Sequence, residues 1–363
     1  MILLNPGPVN LSEGVRNALT GEDLCHREPE FGELQERIRR GLLDVYGLSP
    51  DKWAAVLLTG SGTAAMEAMM TSLVPQDGKV LIIENGVYGE RLANIARIHG
   101  IELTSLKYGW GKPCVVEDVE RVLNEEAAVT HVAVVHHETT TGLLNDLSDI
   151  GSLCRSHGVG LLVDAVSSYG AEELDLEGWG IIACAAAANK CLHGVPGAAF
   201  VLAHRASLSD SAAGRRRTLY LDLANYLREQ DRGSTPFTQS VHVFYGFAQA
   251  LQEFAAQGGW RGRHRRYRRL ARRVRQGLAR LGIRALLPEH ASSVVLSAFQ
   301  VPDVVSYRDL HDGLKRRGFV VYAGQGALEH NIFRISTMGE ITEGDVDQFL
   351  SALAEVLRAA RVA

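Results

Sequence analysis

The stretch Gly160-Leu-Leu-Val163-Asp164-Ala-Val-Ser-Ser-Tyr169 decides the reading of the fold. A short apolar run stops at an acid, and small residues follow it. A run of this length, bounded by turn-forming residues, reads as a buried strand that opens into a loop. The same rhythm continues on both sides. Apolar runs at residues 54–58, 79–83, 131–135, 181–185 and 199–202 alternate with helical patterns at 63–73, 91–99, 116–125 and 147–157. Such alternation predicts an α/β fold with a mainly parallel sheet. Ligands of these sheets gather beyond the carboxyl ends of the strands, so the residues that end each run are the first candidates for function.

A second region starts near residues 233–240. It contains helical stretches at 241–256, 261–281, 307–317 and 342–360, and apolar runs at 293–296, 319–322 and 332–335. The last helix is expected to start from Thr342 as N-cap, with Glu343 and Asp345 where the helix dipole favours acids. The expected division is a large domain with its N-terminal segment at 1–240, and an interdomain helix with a smaller α+β C-terminal domain at 241–363. Nine arginines crowd the stretch from Arg261 to Arg275. Leu270, Val274, Leu278 and Leu281 form an apolar stripe at helical spacing there, so the arginines are expected on the opposite, solvated face.

Composition narrows the function. The 363 residues are 46% hydrophobic and 22% charged with a net charge of −4, which describes a folded soluble protein and argues against nucleic acid as its main partner. Five scattered cysteines without a C-x-x-C pair suggest neither a zinc site nor a disulfide framework. No basic, apolar leader and no run of about 20 apolar residues is present, so no membrane partner is expected and a cytoplasmic location is.

Three motifs carry chemistry. In Leu57-Leu-Thr-Gly60-Ser61-Gly62-Thr63 an apolar run enters a small-residue loop that opens a helix. Its backbone N–H groups, the Ser61 and Thr63 hydroxyls and the helix dipole suit a phosphate, although a plain turn would need no more. Asp164 ends its apolar run, where a carboxylate can pair with the protonated nitrogen of a pyridine ring or simply cap a turn. Lys190 lies 26 residues further on, in Ala185-Ala-Ala-Ala-Asn189-Lys190-Cys-Leu-His193-Gly194-Val-Pro-Gly197. A lysine inside so apolar a stretch is rarely buried without a partner or a covalent role, and burial favours the free amine that a Schiff base needs. His136, His137 and His193 lie near these motifs without the spacing of a metal site, and read as polar groups beside the pocket.

The three motifs, with Asn5-Pro-Gly-Pro8, Asn85-Gly-Val-Tyr88-Gly-Glu-Arg91, His137-Glu-Thr-Thr-Thr-Gly142, Gly194-Val-Pro-Gly197 and Phe333-Arg-Ile-Ser336, resemble the class V aminotransferases of the fold-type-I pyridoxal-phosphate superfamily from end to end. The resemblance is strongest to the branch that acts on 2-aminoethylphosphonate and pyruvate, with enzymes that aminate glyoxylate or pyruvate from alanine or serine as the alternative, and a non-catalytic binding protein on the same fold, against which Lys190 and Asp164 speak, as a third reading. It implies a ping-pong Schiff-base transfer on pyridoxal 5'-phosphate. Ser61, Gly62 and Thr63 would hold the cofactor phosphate, Tyr88 would stack on the ring, Thr139 would approach the ring hydroxyl, Asp164 the ring nitrogen, and Lys190 would bind the aldehyde. Arg334 would bind the substrate's acidic group. Thr238 would reach the phosphate from a neighbouring subunit, which implies a homodimer with shared active sites. Two stretches depart from the pattern. Ala186 and Ala187 stand where relatives often carry serines, and Asp23-Leu-Cys-His-Arg-Glu-Pro-Glu-Phe31 differs from the acidic and aromatic version of that segment.

Overall fold

The computed structural model describes residues 1–212 and 216–362. Its centre is a sheet of seven strands: β1 (Trp53–Gly60), β2 (Lys79–Glu84), β3 (Glu102–Lys107), β4 (Val129–Val135), β5 (Gly160–Asp164), β6 (Ile181–Ala187) and β7 (Gly197–His204). Their spatial order is β1-β7-β6-β5-β4-β2-β3, and only β7 runs antiparallel to its neighbours. The apolar runs are nearly continuous because both faces of the sheet are covered. Side chains alternate between two cores: Leu57, Leu81, Val132, Leu161 and Phe200 enter one, and Val56, Val80, Ala133, Leu162 and Val201 the other.

Six strands coincide with the expected runs, whereas β3 was not anticipated. It pairs only with β2, at the sheet edge, and its sequence Glu-Leu-Thr-Ser-Leu-Lys stays partly exposed, so no apolar run marks it. The helix Pro29–Asp44 was also missed, although Phe31, Leu34, Ile38 and Leu42 stand at helical spacing and Pro29 suits a first turn. The helix Val87–Ile98 starts four residues before the expected 91–99 and so includes Tyr88.

The C-terminal part carries a three-stranded sheet, with β8 (Leu296–Gln300), β9 (Tyr322–Ala323) and β10 (Ile332–Ser336) in the order β8-β10-β9. It shares a core with the helices Gly259–Arg280, Tyr307–Arg316 and Glu343–Val362. The expected run 293–296 is strand only at its end. Ser293 and Val294 are used otherwise: the Ser293 amide donates to the Gly142 carbonyl at 2.9 Å and the Val294 amide to Glu172 at 2.8 Å. The run 319–322 is split, since Phe319–Val320 pairs in parallel with Ile2–Leu3 while β9 joins β10. Thr342 caps the last helix through a reciprocal pair: its Oγ1 accepts from the Asp345 amide at 3.1 Å, and Asp345 accepts from the Thr342 amide at 2.8 Å.

The arginine-rich helix corrects one expectation. Arg269, Arg272 and Arg273 do lie at the surface, in ion pairs with Glu343, Glu289 and Asp347. Arg263, however, is 2% exposed. It donates to the Cys191 carbonyl at 2.7 Å and to Gln257 at 2.9 Å. Its position on the helix turns it toward the loop that follows β6, where a carbonyl and an amide compensate for lost water. Among the described residues no helix is long and apolar enough to cross a membrane.

Candidate active site

The parallel strands place the sequence-named residues along one edge of the sheet. Asp164 is the last residue of β5, Lys190 follows β6, and Ser61, Gly62 and Thr63 follow β1 at the start of the helix Gly62–Leu73. Tyr88 follows β2, and Thr139 follows β4 in the turn after His137–Glu138. This is the edge at which ligands collect in such sheets.

The phosphate-type loop meets the strand of the lysine. A Cβ at Gly62 would fall 2.8 Å from Val166 Cγ1 and 3.5 Å from Ala187 Cβ, so the helix approaches this closely only with glycine there. Ser61 is exposed and caps the helix without a side-chain hydrogen bond, leaving an open helix N-terminus, the arrangement that favours an anion. Arg91 extends to this loop and donates to Thr63 Oγ1 at 3.4 Å, with its guanidinium 4.5 Å from the centre of the Tyr88 ring.

Asp164 is 2% exposed. Its Oδ1 accepts from the Val166 amide at 2.9 Å, while Oδ2 is buried without a partner. Burial pushes its carboxyl up to about 7, helped by the charge of Glu138 and opposed by the Val166 amide, Arg91 and Lys190. Lys190 reaches back to the N-terminal segment, where its amine donates to the Pro6 carbonyl. A Cβ on Gly7 would lie 2.9 Å from both Lys190 Cδ and Nζ. Burial brings the Lys190 amine down to about 8, with Arg334 and Arg91 adding to the effect and Cys191 and Asp164 opposing it. The lysine therefore gives up its proton far more readily than an ordinary one, so that a share of it is free amine near physiological pH, as a nucleophile or base requires.

Arg334, on β10, is brought to the same place across the C-terminal sheet. It is 3% exposed and has no carboxylate partner among the described residues. Its Nε donates to the Ala323 carbonyl at 2.8 Å, and its Nη1 to the Thr139 carbonyl at 3.0 Å and to Gln325 Oε1 at 3.1 Å. Thr139 thus contributes its carbonyl to the placing of Arg334. Thr238 is not brought into the cluster. It is exposed, and its hydroxyl has no hydrogen-bond partner among the described residues, although, two residues on, the Ser240 amide donates to Thr59 Oγ1 at 3.1 Å beside the phosphate-type loop.

Two residues of the site had no role in the sequence reading. Arg91 belonged to a quoted motif, but nothing in its spacing marks it as unpaired. Glu138 is fully buried and accepts from the amides of Tyr88, Gly89 and Thr140 at 3.1, 3.2 and 3.1 Å and from the Thr140 hydroxyl at 2.6 Å. It fixes the helix that carries Tyr88 and Arg91. The histidines serve as polar supports. His137 donates through Nδ1 to the Ser167 carbonyl at 2.9 Å and leaves Nε2 buried and unpaired. His136 bonds Ser168 at 3.0 Å. His193 accepts from the Gly339 amide at 2.8 Å and contacts Glu340 at 3.2 Å; burial holds its imidazole down at about 3, so it is neutral there.

The residues fit pyridoxal phosphate. The unpartnered Asp164 oxygen suits a ring N–H, the open helix N-terminus suits a phosphate, and the readily deprotonated Lys190 suits an aldehyde. Two half-buried or buried guanidiniums without carboxylates add to the call for anions.

Comparison with known proteins agrees with this geometry. A family model for class-V aminotransferases matches residues 16–349. The 2-aminoethylphosphonate–pyruvate transaminase of Klebsiella pneumoniae is 38% identical over 357 residues, covering 97% of this chain and 96% of that protein. Its counterpart in Phocaeicola vulgatus is 36% identical over 361 residues, covering 98% and 99%. Among solved structures, ureidoglycine–glyoxylate aminotransferase from Bacillus subtilis superposes with a TM-score of 0.92 at 25% identity, over 99% of this chain and 93% of that one.

Proposed function

This chain belongs to the class-V aminotransferases, enzymes that work with pyridoxal phosphate, and from that premise we propose that it moves the amino group of 2-aminoethylphosphonate to pyruvate, giving phosphonoacetaldehyde and L-alanine. The observation that carries the proposal is Arg334, a buried guanidinium without a carboxylate, held beside the pocket of Lys190. Donor and acceptor each carry one anionic group, and a single cation can receive them in turn. The relatives of this chain at 36–38% identity that carry this substrate pair in their names support the same choice.

The cofactor, when bound, supplies the aldehyde that carries nitrogen and the ring that accepts electrons. The chain supplies position and proton transfer. Ser61, Gly62 and Thr63 would hold its phosphate, with Arg91 beside them, and Tyr88 would cover the ring. Thr139 would stand toward the ring hydroxyl, and Asp164 Oδ2 would keep a proton on the ring nitrogen. Lys190 Nζ would take a proton from the donor carbon and return it. Thr238, exposed on this chain, completes the phosphate site of a partner subunit in a homodimer. The large unit is residues 1–240, and the C-terminal unit, 241–363, brings in Arg334. The five cysteines are free, which suits the cytoplasm.

Steady-state turnover of 2-aminoethylphosphonate with pyruvate, set against alanine and serine with glyoxylate, tests the substrate. A kcat/KM for the phosphonate at or below those of the amino acids would overturn it. Sedimentation with and without cofactor tests the assembly, because binding across the interface must tighten the dimer by linkage. A fully active monomer would exclude shared sites.

A further inference from the structure

We infer that Gln325 is a specificity-determining residue, an amide that completes the anion site of Arg334 and fits it to a phosphonate. The inference rests on the proposal that Arg334 receives the substrate anion.

A guanidinium has five N–H donors. Nε is used by the Ala323 carbonyl, and the two hydrogens of Nη1 by the Thr139 carbonyl and Gln325 Oε1. That leaves Nη2 alone for an incoming anion. The backbone acceptors belong to the fold and cannot leave. Gln325 is a half-buried side chain whose amide nitrogen has no partner among the described residues. It is therefore the exchangeable member of the set. When an anion oxygen takes its place on Nη1, the amide can turn and offer an N–H to a further oxygen.

A carboxylate has two oxygens, which the fork of Nη1 and Nη2 can fill. A phosphonate has three, carries more charge, and gains from another donor. Gln325 stands where that donor is needed, and its backbone is fixed. It precedes the short turn Gly326–Leu328, in which Gly326 has φ +48° and a Cβ would fall 2.6 Å from Trp110 Cη2. Trp110 is in turn held by Glu90, which accepts from its Nε1 at 2.9 Å. Glu90 lies on the helix of Tyr88 and Arg91, so Gln325 is tied to the wall that faces the cofactor side of the pocket.

The test is the split between substrates. In the holoenzyme Gln325→Leu should raise KM for 2-aminoethylphosphonate about tenfold, the loss of one hydrogen bond to a charged group, and KM for pyruvate less than about threefold. Calorimetric titration with ethylphosphonate and with propanoate, which lack the reacting groups, should show the same split in affinity. Gln325→Glu should weaken both substrates, because its carboxylate would hold Nη1 and repel each anion. Equal effects of Gln325→Leu on both anions, or none on either, would overturn the inference. Arg334→Lys separates the two ideas. If it leaves both KM values unchanged, the reading of Arg334 fails; if it raises both while Gln325→Leu shows no split, only the role of Gln325 fails.

Discussion

Replacing Asp164 by asparagine should stabilise the cofactor-free protein above neutral pH, although it disables the enzyme. The carboxyl is 2% exposed, and burial lifts it from 3.8 to about 7. Because the folded state then holds a proton that the unfolded chain has already released, stability falls as pH rises from about 4 to about 7. About three pH units at 1.36 kcal/mol each make a penalty of about 4 kcal/mol, present in full above pH 7 and absent below pH 4. Asparagine removes the charge but leaves a buried N–H2 beside the space of Oδ2, which costs about 1–3 kcal/mol. The variant should therefore be about 1–3 kcal/mol more stable than the parent near pH 8, an advantage that is lost or reversed toward pH 5, where the penalty on the carboxyl has fallen to about 1.6 kcal/mol. Urea titration of both proteins without cofactor, at one protein concentration and several pH values, reads this directly. Pyridoxal phosphate should reverse the order, since the ionised carboxylate then faces a cation. A variant less stable near pH 8, or a difference that does not change with pH, would refute the claim that this carboxylate is buried without a counter-charge.

Lys190→Ala should abolish transamination, and borohydride reduction of the parent enzyme followed by peptide mapping should find the cofactor on Lys190; a label on another lysine would exclude it. Gly7→Ala should lower kcat more than it raises KM, because the new methyl would lie 2.9 Å from Lys190 Nζ and the backbone has φ +106°, at a cost of about 1–2 kcal/mol in backbone strain alone. Parent-like kcat would show that the lysine has room to move. Arg263→Met should lower the urea midpoint by the equivalent of about 1–3 kcal/mol, because the Cys191 carbonyl loses its donor. An unchanged midpoint would mean that water replaces the guanidinium.

The large sheet was legible because its strands are buried on both faces and so write continuous apolar runs. Where that condition fails the sequence is silent, as with the edge strand β3, whose residues are half exposed. The C-terminal runs were blurred for another reason. Ser293 and Val294 look like strand residues, but a buried carboxylate, Glu172, takes the Ser293 hydroxyl and the Val294 amide. Asp164 and Lys190 could be picked out because each stands alone at the end of an apolar run, where a charge needs a reason. Glu138 could not, since its four donors come from residues up to 50 positions away and only the fold assembles them.

Arginine shows where such reading stops. Arg91, Arg263 and Arg334 all leave the surface, and none has a carboxylate partner among the described residues. Their meaning differs with what compensates them. Arg263 gives its terminal nitrogens to a carbonyl and a glutamine, and lies within 5.3 and 5.9 Å of the Phe254 and Tyr267 ring centres. Its Nε is buried without a partner, and its Nη1 bond to the Cys191 carbonyl holds the loop of Lys190. Arg334 is satisfied on one side only, by acceptors that orient it and leave Nη2 to a ligand. Arg91 has only a 3.4 Å contact to a threonine hydroxyl and the face of Tyr88. Arg263 thus builds the site, whereas Arg334 and Arg91, which keep donors without protein partners beside Lys190 and the phosphate-type loop, are placed to bind what enters it.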